Sequence, residues 1–360
     1  MPALTDLGRL FAAYDGLGVL RAGTDADRRA ALWLAAQANA GIEPVPLSRL
    51  VPTAAWLEVA GRRLEGLPLF DAPPGHASGR LGAAGSVAAI GWKQVPPAAA
   101  SLKGQEVEAL RRASPHQALV LLPEARHGSL APLNAPNFLS PFGPPVLQLP
   151  ARHAAALQAA EGTGATLRTA FDHVPAETFN VVAEFPGPPA PPLVVITPRT
   201  SWWHSVSERG GGILAWLAAL HAVRVAPRRR PALFVATGAH ELGHLGLSAL
   251  FAARPALADA ALWLHLGANL GAAGGGAVAV RGNADPWPEL AVALLGNARR
   301  GEGAGGEAHD VMQRGGRFVS LIGANPLFHA PEDRWPDAVD LAEAARIAQV
   351  AARLAVEAVG

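Results

Sequence analysis

The residues with the sharpest chemical potential in this chain are His240-Glu241-Leu242-Gly243-His244. In an H-E-x-x-H segment, two imidazoles one helical turn apart can bind zinc while the glutamate activates water, provided that one continuous helix carries them. The neighbouring sequence argues against that helix. The strand-like Leu233-Phe234-Val235-Ala236-Thr237 ends just before the motif, and Gly238, Gly243 and Gly246 surround it. The longer zinc-protease pattern also wants a glycine and a third histidine downstream, where this chain has Leu247 and Leu250. The segment therefore reads equally as a strand-to-helix loop.

The chain that must position these residues has 360 amino acids, enough for one large domain or two. Only 16% of residues are charged, and alanine, 39 glycines and 32 prolines make up the balance, as in a loop-rich globular protein. A net charge of +1 gives no field for nucleic acid or an anionic membrane, so neither is expected as a partner. The absence of cysteine excludes disulfides, thiolate metal sites and a cysteine nucleophile. No apolar run approaches the ~20 residues of a membrane span, and the first residues lack a basic-then-apolar leader, so a cytoplasmic protein is expected. No G-x-S-x-G elbow, Walker sequence or dinucleotide fingerprint occurs.

An amphipathic helix is expected over residues 25–40, capped by Thr24 or Asp25 and ended by Gly41. Short apolar runs between Pro/Gly clusters follow, at Ser86–Gly91, Ala118–Pro123 and Pro145–Leu149, with a helix over Pro150–Glu161 and a strand over Ala165–Phe171. From Thr178 strands and helices alternate. Strands are expected at Phe179–Phe185, Pro192–Thr197, Ala232–Thr237, Ala261–Leu266, Gly276–Arg281 and Arg317–Gly323. Helices are expected at Glu208–Val223, Leu245–Ala253, from Trp287 and over Pro336–Ala358. This alternation predicts a three-layer α/β/α domain with a mostly parallel central sheet, whose function sits in loops at the carboxyl ends of the strands.

Several segments in those loops resemble the zinc aminopeptidase family with two bridged zinc ions, peptidase family M twenty-eight. His240-Glu241-Leu242-Gly243-His244-Leu245-Gly246-Leu247-Ser248 is similar to the family's Glu-Glu-x-Gly-Leu-Leu-Gly-Ser. Asn180-Val181-Val182-Ala183-Glu184-Phe185-Pro186-Gly187 resembles its entry strand, and Glu208-Arg209-Gly210-Gly211-Gly212-Ile213 its Asp-Asn-Ala-Ser-Gly-Val. Phe328-His329-Ala330-Pro331-Glu332-Asp333 resembles its Tyr-His-Thr-x-x-Asp. Phe142 to Leu147 and the following helix–strand unit resemble the end of a protease-associated domain. The resemblance implies an N-terminal helical segment (1–43), a protease-associated-like β-rich insert (44–177) and an aminopeptidase-like α/β domain (178–360).

The resemblance also assigns roles. The bridging aspartate corresponds to Glu208, the general-base glutamate to His240, the next ligand to Glu241 and the last ligand to His329. No ligand stands where the family has His-x-Asp, in Pro198–Trp203, and no carboxylate follows the strand near His265 and Asn269. Three arrangements are open. One zinc could be held by Glu208, Glu241 and His329 with His265 or His204 in support, and His240 could take the proton. The site could be rebuilt around His204, His240, His244 and His265. Or the site could be dead, with Arg199 or Arg209 filling the metal's place. The first implies hydrolysis of an amide in a small peptide-like substrate, the last a binding or scaffold protein. A homo-oligomer is compatible with either.

Around this centre, Arg199 could hold a ligand carboxylate or replace a lost cation. Trp202-Trp203 suits stacking or burial, Gly210–Gly212 an anion or close packing, and His309-Asp310 either specificity or a turn. His265, in an apolar strand, also fits a hydrogen-bonded core residue. His76, His116, His127, His153, His173 and His221 lie outside the cleft loops.

Overall fold

The structure is a computed structural model that describes residues 4–96 and 101–360. Its helices are α1 (Leu4–Asp15), α2 (Asp25–Ala38), α3 (Ser101–Arg112), α4 (Ala154–Ala159), α5 (Gly210–Val225), α6 (Leu245–Ala253), α7 (Trp287–Leu295), α8 (Glu307–Gln313) and α9 (Leu341–Val359). Its strands are β1 (Gly41–Val59), β2 (Arg62–Glu65), β3 (Leu67–Pro68), β4 (Gly75–Ala83), β5 (Ile90–Val95), β6 (Ala118–Pro123), β7 (Val146–Gln148), β8 (Gly164–Phe185), β9 (Leu193–Pro198), β10 (Ala232–Thr237), β11 (Leu262–Leu266), β12 (Val278–Gly282), β13 (Ala298–Arg300) and β14 (Phe318–Ile322).

The large half of the sheet runs β13-β12-β14-β11-β9-β10-β8. Strands β10, β9, β11 and β14 are mutually parallel, while β8 and β12 flank them antiparallel. The four parallel strands are buried along nearly their whole length and read as continuous apolar runs, because helices cover both faces. One face packs on α5, α9 and α2 through Trp216, Leu220, Ile347 and Leu34. The other packs on α6 and α8 through Leu247, Leu250, Ala308 and Val311. This is the three-layer, mostly parallel architecture the strand–helix alternation predicts. Among the described residues no helix is long and apolar enough to cross a membrane.

The smaller half of the sheet, β4 to β7 with β3, has its own cores around Leu57, Val120 and Leu167 and around Leu119 and Leu133. The two halves are joined by β1 and β8, which pair antiparallel from Gly41↔Val182 to Val59↔Ala165 with one irregularity at Pro52/Ala54. The strands expected at Ala165–Phe171 and Phe179–Phe185 are thus one continuous strand. An unbroken partner satisfies its backbone groups through the polar residues between them.

Other boundaries differ for local reasons. Helix α2 ends at Asn39 rather than Gly41, because Asn39 takes the left-handed conformation (φ 46°) and its N–H caps Ala35 and Ala36. Thr24 is the N-cap, accepting from the Asp27 N–H. Helix α9 starts at Leu341, where the Asp340 carboxylate accepts from the Glu343 N–H, so the preceding residues from Pro336 stay outside it. The run Ser86–Gly91 leads into β5 rather than forming a strand, and Pro150–Glu161 is a 3₁₀ turn followed by the short α4. The strands β10 and the helix α6, which bracket the histidine motif, have the expected bounds.

Candidate active-site cleft

Every residue that the sequence singles out for the centre lies at the carboxyl end of the parallel strands or in the loops that follow. His240 and Glu241 follow β10 in a single 3₁₀ turn, and α6 begins only at Leu245. Ala239, Gly243 and His244 are all left-handed (φ 53°, 73° and 57°), so no continuous helix carries the H-E-x-x-H residues. The helical H-E-x-x-H arrangement is therefore absent, and the loop reading holds. Two glycines of this loop, Gly238 and Gly246, have a visible cause. Asn180 accepts from the Gly238 N–H at 3.2 Å and donates to the Gly246 carbonyl at 2.8 Å. A Cβ on Gly238 would lie 2.3 Å from Thr178 Oγ1, and one on Gly246 would lie 2.4 Å from Asn180 Oδ1.

Glu208 precedes α5 and is placed by Asp333. The Asp333 carboxylate accepts from the Ser207 N–H at 2.9 Å, the Ser207 hydroxyl at 2.6 Å and the Glu208 N–H at 2.9 Å. Burial pushes the Asp333 carboxyl up to about 7 in spite of these donors. Helix α5 then approaches the strand ends closely: a Cβ on Gly211 would fall 1.5 Å from the Leu270 carbonyl oxygen. Close packing, not an anion, accounts for that glycine.

Arg209 turns inward between two carboxylates. Its Nη2 is 2.9 Å from Glu208 Oε1 and 2.9 Å from Glu241 Oε1. The contact to Glu241 is a hydrogen bond, and the one to Glu208 is an ion pair without hydrogen-bond geometry. Arg209 Nε donates to the Thr200 carbonyl at 2.7 Å, and Thr200 Oγ1 donates to the other Glu241 oxygen at 2.8 Å. All three charged residues are at most 2% exposed. Burial works against the Glu208 carboxylate, but Arg209 and His329 outweigh it and hold its pKa at about 2. His329 completes the group, with Nε2 3.4 Å from Glu208 Oε1 and Nδ1 donating to the Pro132 carbonyl at 2.6 Å.

The structure thus brings Glu208, Glu241 and His329 together, and adds Arg209. It does not bring the other expected residues to them. Arg199 forms its own buried pair with Asp27 at 2.6 Å and donates to the Phe179 carbonyl, tying α2 to the sheet. His204 faces Asp15 at 3.7 Å. Trp202 is buried, stacked on Phe70 and bonded to Asn134. His265 projects instead toward Glu307, with Nε2 3.3 Å from Oε2, and its Nδ1 contacts Ser320 Oγ at 2.7 Å.

Glu307 was missed by the sequence reading and is fully buried. It opens α8 directly after Gly306, whose φ of +56° turns the chain inward. His240 Nδ1 donates to Glu307 Oε1 at 2.9 Å, and Thr237 Oγ1 donates to the same oxygen at 3.0 Å. Burial resists ionisation of Glu307, but His240 and His265 override it and hold the carboxyl well below its usual range. His244 pairs through Nδ1 with Asp310 Oδ2 at 2.5 Å. Its ring centroid is 4.7 Å from that of His240. The only sequence signal for Glu307 was its place in a Glu-Ala-His-Asp run after two glycines.

Of the six non-glycine residues with positive φ among the described residues, four (Ala239, His244, Asn269 and His329) surround this cleft.

The residues present do not fit a pair of zinc ions at the carboxylates. Zinc binds carboxylate oxygens at about 2.0–2.2 Å, and a guanidinium that stays charged at any accessible pH already lies against both of them. No histidine or carboxylate stands in Pro198–Trp203 to complete such a centre.

No protein-family model and no curated protein matches the chain. Solved structures do. A zinc aminopeptidase from Bacillus subtilis superposes with a TM-score of 0.76 at 16% identity, covering 99% of this chain and 95% of that one. An aminopeptidase from Aneurinibacillus sp. strain AM-1 gives 0.68 at 14% identity, covering 98% and 92%. A peptidase M28 precursor from Shewanella amazonensis SB2B gives 0.71 at 17% identity, covering 99% and 96%. The likeness spans the N-terminal helices and the smaller sheet as well as the large one, and on it the chain has the fold of the zinc aminopeptidases of peptidase family M twenty-eight.

Proposed function

We propose that this protein is a binding protein on an aminopeptidase fold, without the two-zinc hydrolytic centre, that takes a small peptide-like ligand in the cleft. The observation that carries the reading is the Arg209 guanidinium between Glu208 and Glu241. A cation built into the chain sits where a metal would and offsets one of the two carboxylate charges.

The small pocket beside this pair, about 20 Å³, has room for no more than a ligand's carboxylate group. Arg21, Arg49, Phe70, Trp202 and Glu241 line one small pocket. The Arg21 guanidinium lies 5.3 Å from the Phe70 ring centroid and 5.6 Å from that of Trp202. Arg49 Nε is buried without a hydrogen bond among the described residues. Two guanidinium groups at one mouth suit bidentate carboxylate recognition.

The test is hydrolysis of a panel of aminoacyl-p-nitroanilides by the full chain, with and without added zinc, beside calorimetric titration with dipeptides and their C-terminal amides. The expected result is no zinc-dependent turnover, with binding of free dipeptides but not amides. Zinc-dependent turnover abolished by Glu241→Gln would overturn the reading.

A second reading, a metal-dependent amide hydrolase resembling an aminopeptidase, is favoured by the cluster of His240, His244 and Glu307 one step from the arginine. It predicts turnover that survives Glu241→Gln and is lost with Glu307→Gln.

A further inference from the structure

We propose that His240, His244 and Glu307 form a site for one divalent transition-metal ion, separate from the carboxylates that Arg209 occupies. One donor atom from each of the three residues lies within 4.8 Å of the others. Two imidazoles and one carboxylate form a three-ligand set suited to zinc and its neighbours, with a fourth position left for water or a ligand atom.

The surrounding bonds prepare these donors. A carboxylate only accepts, so the His244 Nδ1 that meets Asp310 carries hydrogen and its Nε2 is left for the ion, whereas His240 meets Glu307 through Nδ1 and binds through that atom, the ion replacing the hydrogen between imidazole and carboxylate. No hydrogen bond among the described residues uses His244 Nε2. Asp310 on His244 is the outer carboxylate that metal-binding histidines commonly have, fixing ring orientation and raising ligand basicity.

A second observation is independent of that spacing. Glu307 Oε2 and His265 Nε2 are both buried without a hydrogen bond, although they face each other at 3.3 Å. Glu307 and His265 are 0% and 1% exposed. The His265 imidazole faces that carboxylate oxygen out of hydrogen-bond geometry, and an ion held by Glu307 adds the charge that this contact supplies only in part. Access is open on the His244 side, where the side chains of His244 and Asp310 are 20% and 27% exposed.

The relation to the aminopeptidase pattern follows from the residues. By the resemblance, His240 corresponds to the general base and Glu241 to a ligand. The proposed ion uses the first and leaves the second to Arg209, so the site is a relocation rather than a remnant.

The experiment is titration of chelator-treated full chain with Co²⁺ and Zn²⁺ alone, read by calorimetry and by the visible absorption of bound Co²⁺. The expected result is one equivalent, weakened at least about tenfold by His244→Ala, Glu307→Gln and Asp310→Asn, and unchanged by Glu241→Gln. His244 and Asp310 are partly exposed, so their variants keep the test valid if Glu307→Gln fails to fold. A folded parent that takes up no ion at tens of micromolar overturns the proposal, as does uptake that persists in His244→Ala. Uptake lost in Glu241→Gln but kept in His244→Ala places the metal at the carboxylates and overturns the binding-protein reading as well. Absence of peptide hydrolysis bears on that reading alone.

Discussion

Arg209 Nη2 donates to Glu241 Oε1 at 2.9 Å, in a site where neither residue is more than 2% exposed. The residue that the aminopeptidase pattern would use to hold a metal is thus satisfied from within the chain. Thr200 takes its second oxygen. The guanidinium offsets one of the two carboxylate charges, and left-handed backbone at Ala239, His244 and His329 surrounds the pair.

Removing that cation should be expensive. Arg209→Met leaves Glu241 buried without a counter-ion and Glu208 with His329 alone, at an expected cost of about 3–5 kcal/mol in urea unfolding. Combining it with Glu241→Gln should cost less than the sum of the single changes, because the second change removes the charge that the first exposed. Additive losses would show that the pair is not coupled.

The Arg199–Asp27 pair is expected to act on stability and not on ligand binding. Arg199 is 1% and Asp27 0% exposed, and their contact fastens α2 to β8 and β9. Arg199→Met should lose about 3–5 kcal/mol in denaturant unfolding while leaving Co²⁺ uptake of the folded protein unchanged. Loss of uptake with no loss of stability would put Arg199 back in the functional centre.

Asp333 should give stability a pH dependence of defined sign. Its carboxyl is about 7 in the folded protein against an ordinary value of 3.8, so between those values the folded chain holds a proton that the unfolded chain has released. Stability is therefore highest below pH 4 as far as this group is concerned and falls as pH rises toward 7, by up to about 4 kcal/mol. Asp333→Asn should flatten that slope in thermal or urea unfolding followed across pH. A variant with the parent's slope would assign the titration elsewhere.

Two adjacent glycines should differ sharply. A Cβ on Gly210 would meet Phe11 ring carbons at 3.0 Å, a side chain that can shift, whereas one on Gly211 would meet the Leu270 carbonyl at 1.5 Å. Gly211→Ala is expected to cost at least about 3 kcal/mol or to prevent folding, and Gly210→Ala about 1 kcal/mol. Equal tolerance of both in expression and melting experiments would refute the close contact of α5 with the loop after β11.

Much of the fold was legible in sequence because periodicity and punctuation are local. The fully apolar runs of β9, β10 and β11 read as buried parallel strands, and Gly238, Gly243 and Gly246 marked a loop rather than a helix at the histidine motif. The long β1–β8 pairing was not legible, because Pro44, Pro46 and Pro52 in β1 and the polar stretch from Asp172 to Glu177 in β8 look like breaks. Only a partner strand distant in sequence keeps them extended. The ends of α2 and α9 were misplaced because Asn39 and Asp340 outcompeted the nearby glycine and proline as caps.

At the site, the sequence by itself determined that Glu208, Glu241 and His329 would share one end of the sheet, because each follows a strand or opens a helix there. It also left Arg199 and Arg209 as equal claimants for the metal's place. Tertiary structure alone decided between them: Asp27 on α2 captured Arg199, and Arg209 turned to the two glutamates. It likewise drew Glu307 from α8 onto His240 and His265, away from the group they were expected to join. A buried charge must find its counter-ion among whatever groups the packed layers bring within about 3 Å. That choice depends on side chains far apart in the chain, and spacing along the sequence carries no record of it.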